Sequence, residues 1–487
     1  MRATSLMVTR PWRSTAVTLP CRYRYRNRLT PENRACQTPS RPSVDDDKER
    51  IMARMRARAG AAVVLGVSVA MLLAACGGDS DNGSEGTDEP SAGSGDEAVT
   101  ITWWHNSNTD PGMGYYQQVA DDYMAENPNV TIEIEAMAHE DMVTQLEAAF
   151  QSGNMPDIYM ERGGGELRQH VEAGLTKDIS DLAADTISTI GGSVAGWQVD
   201  GKTYGLPFSM GVVGFWYNTQ IWADNGVEPP ATWDDFYAAI DTLKANGVAP
   251  LSVGAADQWP LAHYYYYFAL RECAQDTVVN GLAEFDFSDE CWNTAASDLK
   301  AFVDSQPFND GFLATVAQEG ATSASGLLAN GQVSAEMQGH WEPGVMQGLN
   351  DGTPVENIDW FPFPAVEGGA GDPAAAIGGG DAWAASADAP DEAVDFMMYL
   401  LSDEVQIGFA ELNMGLPTNP AASGSVADPA LASLLEFRDA SPFIQLYFDT
   451  ALGTNVGNAM NAAVVNVFAG ADPATIVADT QAAAELE

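Results

Sequence analysis

Cysteine, histidine and basic charge are all scarce in this sequence. Its 487 residues include five cysteines and five histidines. After residue 58 only eight Lys and Arg remain: Arg162, Arg168, Lys177, Lys202, Lys244, Arg271, Lys300 and Arg438. Against them stand 63 Asp and Glu from residue 76 onward. So acidic a body repels nucleic acid and anionic lipid surfaces, and no nucleic-acid partner is expected. Enzyme motifs are missing too. His139-Glu140 does not extend to the zinc motif His-Glu-x-x-His, because residue 143 is Val, and no Gly-x-Ser-x-Gly elbow occurs. No metal and no cofactor is expected. Long apolar runs are limited to AGAAVVLGVSVAMLLAA, residues 59–75, which is short for a membrane span. No repeat and no spanning helix follows it.

That run comes after Arg54, Arg56 and Arg58 and ends in LAAC, Leu73 to Cys76. The arrangement resembles a bacterial lipoprotein signal peptide, here residues 52–75, cleaved before a cysteine that carries the lipid. Cys76 is therefore the expected lipidation site, with acyl chains (palmitate among them) holding the protein to the extracytoplasmic face of the cell membrane. Residues 76–97, polar and acidic, read as a flexible tether. Residues 1–51, Arg-rich and without apolar periodicity, read as a gene-model extension, with translation starting at Met52 or Met55. Cys21 and Cys36 fall in that extension. Only Cys273 and Cys291 remain in the body, and in an exported protein such a pair reads as one disulfide. The alternative, a two-Cys metal site, lacks nearby His.

Structure is expected from Val99. Val99, Ile101 and Trp103 alternate as in a strand; Tyr116, Val119, Ala120, Tyr123 and Met124 recur at helical spacing. Val130, Ile132 and Ile134 alternate again, a second helical face follows, and DIYM (157–160) reads as a short buried strand. This order predicts an α/β layer with a mainly parallel sheet, whose ligands sit on loops after strand C-terminal ends. APLSV, QVSAEMQ and DAWAAS read as further strands, and the chain after Asp391 as mostly helical.

GWQVDGKT, residues 196–203, fits the P-loop pattern at every fixed position. A P-loop must lead into a helix whose N-terminus holds phosphate. Here Gly205 and Pro207 follow the lysine and oppose a helix. Asp200-Gly201 instead suits a two-residue hairpin turn, with Lys202 a surface charge.

Five segments then follow in order: VTITWWHNSNTDPG, GNMPDIYMERGGGEL, VDGKTYGLPFSMGVVGFWYN, NGQVSAEMQGHWEPGVM and GGGDAWAASADAPDEAVDFMMYLLSDEVQIGFA. Together they resemble the extracellular solute-binding proteins of ABC importers, in the carbohydrate branch (family 1) that includes maltose-binding protein. The resemblance covers residues 98–487. It implies an α/β, two-lobed periplasmic-binding-protein fold with a hinge and a ligand cleft between lobes. One lobe would be 98–208 plus 361–390, the other 209–360 plus 391–487. It implies a monomeric, non-enzymatic binder of a neutral di- or oligosaccharide, delivering it to the permease subunits of an importer. A binder of peptide or polyamine and a surface glycosidase are the alternatives.

Sugar recognition needs aromatic rings for the apolar ring face and planar polar groups for the hydroxyl rim. Candidates at the regions where the resemblance places ligand are Trp104, Asn106, Glu161, Trp259, His263, His340, Trp341, Glu342, Asp381 and Trp383. Trp341 ranks first, being set among polar neighbours between Gly339 and Gly344. Gly378–Gly380 would let backbone approach a ligand. Trp216 reads as lobe core or hinge, and Arg162 as a partner of Glu161 or a ligand contact.

Overall fold

Ten strands form two sheets, each covered by its own helices, and two more form a separate hairpin, in a computed structural model that describes residues 98–487. Cys21, Cys36, Cys76, the signal-like run and the acidic tether lie outside the described residues.

The first sheet contains β1 (Val99–His105), β2 (Val130–Ala136) and β3 (Ile158–Glu161), all parallel, with β11 (Ala376–Ala385) antiparallel to β3 and β12 (Ile444–Leu446) parallel to β11. A further strand, β6 (Gly205–Val212), pairs with the other edge of β11. Period-two alternation sends Ile101 and Trp103 into a core with Val119, Ala120 and Phe396. The second sheet runs β10 (Ile358–Phe361), β7 (Gly214–Asn218), β9 (Ala335–Gln338), β8 (Leu251–Ser252). Its main core takes Phe215, Phe236, Leu261 and Tyr264, with most of the buried helix Trp259–Glu272.

The lobes join along β6 and β11. Ile377 belongs to the second core and Trp383 to the first, so β11 passes between them. A third crossing runs beside it, where the Leu416 carbonyl accepts from the Met210 N–H and the Thr418 hydroxyl donates to the Pro207 carbonyl. The expected lobe boundaries need two corrections. Residues 361–377 lie with the second lobe, because β10 pairs with β7 and Phe361, Phe363 and Ala375 fill its core. Residues 391–411 lie with the first, because Val394, Phe396, Met397 and Phe409 cover the sheet that holds Trp103. The helices of that second segment, Asp391–Leu400 and Asp403–Glu411, each present an apolar face, and that face goes where uncovered sheet is available.

The P-loop match is a hairpin: β4 (Gln198–Val199) pairs with β5 (Lys202–Thr203), and Asp200 and Gly201 have φ of 51° and 78°. Two successive positive φ values are what the tight turn requires. Lys202 sits at the surface, 2.8 Å from Asp178. The three glycines of β11 allow close packing, and Gly380 also borders the interlobe cleft. A Cβ on Gly378 or Gly380 would collide with the carbonyl of Gly211 or Ser209 on β6, and one on Gly379 would meet the Tyr447 ring. Cys273 and Cys291 are bonded, tying the end of helix Trp259–Glu272 to helix Glu290–Asp304. Among the described residues no helix is long and apolar enough to cross a membrane, and no group of three or more potential metal ligands occurs.

Candidate functional site

Loops at the C-terminal ends of strands from both lobes meet around a cleft of about 520 Å3. On the first-lobe side Asn106 follows β1, His139 and Glu140 follow β2, and Arg162 follows β3. On the second-lobe side Trp259 comes after β8, His340 and Trp341 after β9, and Tyr447 and Asp449 after β12. This is where a parallel α/β layer exposes its loops. Asp381 enters from β11, at the point where the β6 pairing shifts register.

The second-lobe wall is aromatic. Trp341 meets Trp259 edge to face at 6.1 Å, and Tyr447 stacks on His263 at 5.2 Å. The Trp341 ring lies back over Gly339, where a Cβ would occupy the same space. Its indole N–H donates to Gln338 Oε1 at 3.2 Å. Loop 338–341 is braced from beneath by Trp216, whose indole N–H points at the carbonyls of Gln338 and Gly339. Trp216 is thus buried core, as its sequence neighbourhood suggested.

Polar groups face this wall. Asn106 Nδ2 lies 3.2 Å from His139 Nδ1. Arg162 pairs with Glu166 at 2.7 Å, not with Glu161, and stands 3.9 Å from Asp449 of the opposite wall. Burial works against the Arg162 charge, but Glu166 and Asp449 outweigh it and hold its pKa above the usual range. Burial raises Asp381 despite the nearby His139 and Arg162. Burial also lowers His263 to about 4 and His340 to about 3, so both rings are neutral at pH 7. His340 Nε2 lies 2.8 Å from Ser209 Oγ of β6. The Tyr447 hydroxyl and His263 Nδ1 are buried with no hydrogen-bond partner among the described residues. Across the mouth, the Trp259 indole N–H donates to Glu140 Oε1 at 3.0 Å, linking the lobes.

Seven of the ten expected ligand residues line the cleft: Asn106, Trp259, His263, His340, Trp341, Asp381 and Trp383. Trp383 forms its floor, almost wholly buried and stacked on Phe208 at 4.3 Å. Three do not. Trp104 faces the opposite side of β1 from Trp103 and packs near Phe150 and Tyr159. Glu161 is the buried last residue of β3, taken by His170 Nδ1 at 2.8 Å and by the Gly163 N–H. Glu342 is fully buried behind Trp341 and accepts from the Ser325 hydroxyl. Sequence reasoning missed Tyr447, Asp449, His139 and Glu140. The only signal for His139 and Glu140 was their position after a predicted strand. Tyr447 and Asp449 sit after a three-residue strand that no alternation announces.

Comparison with known proteins agrees with this geometry. Residues 106–407 match the model of the bacterial extracellular solute-binding protein family. The diacetylchitobiose binding protein of Streptomyces coelicolor is 25% identical over 413 residues, 82% of this chain and 92% of that protein. An uncharacterized ABC transporter extracellular-binding protein of Pyrococcus horikoshii is 25% identical over 261 residues, 52% of this chain and 58% of its own length. Among solved structures, one from work on xylan utilization by the thermophilic Caldanaerobius polysaccharolyticus superposes with a TM-score of 0.74 at 26% identity, covering 79% of this chain and 99% of that one. A two-lobed fold, a cleft built from strand-end loops of both lobes and a family match over most of the described residues lead to one statement: the chain belongs to the bacterial extracellular solute-binding proteins.

Proposed function

We propose that this protein is the substrate-binding component of an ABC sugar importer and reversibly binds a neutral di- or oligosaccharide. The observation that carries this reading is the aromatic wall of Trp259, Trp341 and Tyr447 facing Asn106, His139, Arg162 and Asp381 across an interlobe cleft. Aromatic faces match the C–H face of a pyranose, and planar polar groups match its hydroxyl rim. Closure about β6 and β11 would present the loaded form to the permease, as hinge motion does in such binders. Lipidation at Cys76 would keep the protein, as a monomer, on the extracytoplasmic face of the membrane. No reaction is assigned to the cleft.

Titration calorimetry of the purified protein against a sugar panel tests the reading. The panel includes diacetylchitobiose, for which one relative is named, and xylo-oligosaccharides, because one similar solved structure comes from work on xylan utilization. The expected result is one-to-one binding of a sugar that is recovered intact. Hydrolysis of the sugar would make the protein a glycosidase. A second reading, a polyamine binder, draws on the seven acids that line the cleft, Glu140, Asp257, Asp381 and Asp449 among them. Spermidine binding with no sugar binding would select it.

A further inference from the structure

Two buried carboxyl groups lie behind the cleft without any basic partner. Glu336 is 1% exposed and Glu342 is fully buried. Glu336 is on β9 and Glu342 begins the helix Glu342–Leu349, so the segment between them carries Gln338, Gly339 and Trp341. In the sheet Glu336 lies between Trp216 of β7 and Ser252 of β8, and polar groups reach the pair from its own strand and from two helices. The Ser325 hydroxyl of helix Ala324–Ala329 donates to Glu342 Oε2 at 3.0 Å. Gln338 Nε2 donates to Glu336 Oε1 at 3.1 Å. The Tyr264 hydroxyl, from helix Trp259–Glu272, feels the Glu336 charge. Glu336 Oε2 and Glu342 Oε1 have no other partner among the described residues.

The donor and acceptor roles in this chain are forced. An indole N–H can only donate, so the Trp341 N–H fixes the Gln338 amide oxygen toward itself. The Gln338 NH2 must then point away, and it finds Glu336. A surface-facing ring is thereby tied, through one amide, to a buried carboxyl. Glu342 is covalently next to Trp341, so a backbone shift that relieves Glu342 is passed on to the residue that carries the ring.

Resting on the reading of Trp341 as a ligand-stacking residue, we propose that Glu336, Glu342 and Gln338 are positioning residues that hold the Trp341 indole in its ligand-binding orientation, and do so only while the two carboxyls retain a proton. With one proton present, the pair carries at most one charge and the chain stays dry. With both ionised, two like charges share one buried compartment, and relief requires water entry or movement of segment 338–342. Burial raises both groups, Glu342 to about 8 and Glu336 well above the ordinary carboxylate range. The proton is therefore retained at neutral pH and lost in the alkaline range.

The test uses full-length protein labelled with 5-fluorotryptophan and read by fluorine NMR, the Trp341 signal being identified by its loss in Trp341→Phe. In ligand-free wild type the Trp341 signal is expected to titrate with a midpoint at or above pH 8. In Glu336→Gln/Glu342→Gln it stays fixed, and in Gln338→Leu it is displaced already at neutral pH. A flat wild-type signal, or an unchanged titration in the double variant, overturns the proposal. Should the double variant not fold, the Gln338→Leu signal decides: a wild-type position there refutes the chain. Affinity for the best sugar of the panel is expected to fall about fivefold between about pH 7 and about pH 9.5 in wild type only, the worth of roughly one net hydrogen bond. A titrating Trp341 signal with constant affinity would sustain the positioning role and remove Trp341 from the ligand site.

Discussion

Replacing Trp341 by Ala gives the sharpest check on the cleft. The ring is half-buried, roughly perpendicular to Trp259, with its N–H on Gln338 and one flank against Gly339. What remains open faces the cleft. A pyranose covering roughly 80 Å2 of that face at about 25 cal/mol per Å2 contributes about 2 kcal/mol. Loss of the ring should therefore weaken binding roughly 30-fold, since about 1.4 kcal/mol is tenfold. Titration calorimetry at constant pH and temperature reads this directly, with circular dichroism confirming the fold. The comparison is Trp104→Ala. Trp104 is an equally large ring on a strand that leads into the cleft, but it packs outside it. Its removal should leave the dissociation constant within about twofold, whatever it costs in stability, because contacts outside the interface add little to binding. A Trp341→Ala protein that binds within about threefold of wild type would show that the ring packs without stacking on ligand. Equal losses in both variants would mean that affinity merely follows stability.

Other outcomes follow from the same contacts. Gly339→Ala puts a methyl where the Trp341 ring lies, and the ring can yield while the backbone stays; affinity should fall roughly tenfold with stability changed by less than about 1 kcal/mol, read by calorimetry and urea melts. Cys273→Ser/Cys291→Ser opens a closure of 18 residues and should lower the unfolding free energy by about 3 kcal/mol, with reductant producing the same loss in wild type. Glu342→Gln should gain stability over wild type as pH rises. The carboxyl is pushed by burial from 4.5 to about 8, so the unfolded chain sheds a proton that the folded chain keeps. Its contribution is thus present below pH 4.5 and lost as pH climbs to about 8, and a difference between the two melting curves that ignores pH across this window would contradict the burial argument.

How much was legible in the sequence can be judged residue by residue. Alternation at Val99, Ile101 and Trp103 and the helical faces that follow depend only on near neighbours, and β1, β2 and the helices Gly112–Glu126 and His139–Ser152 form accordingly. Asp200-Gly201 turned its hairpin because positive φ is a property of the residues themselves. Pairs of adjacent candidates were a different matter. Trp103 and Trp104 look alike in sequence, yet strand period decides that one enters the core and its neighbour the opposite face, and neither reaches the ligand wall. Glu161 and Glu342 sit in polar segments but are buried, one claimed by His170 and the other by Ser325, partners 9 and 17 residues away that only folding brings close.

The sequence by itself determined the local elements, the hairpin in place of a P-loop, and the strand-end loops on which a ligand site had to lie. These follow from side-chain spacing and backbone preference, which act over a few residues. Tertiary structure alone decided where the lobes divide, which of the aromatic rings form the wall, and that Tyr447 and Asp449 join Arg162 and Asp381 across the cleft. Those outcomes depend on which apolar faces found each other across hundreds of residues, and no local pattern carries that information.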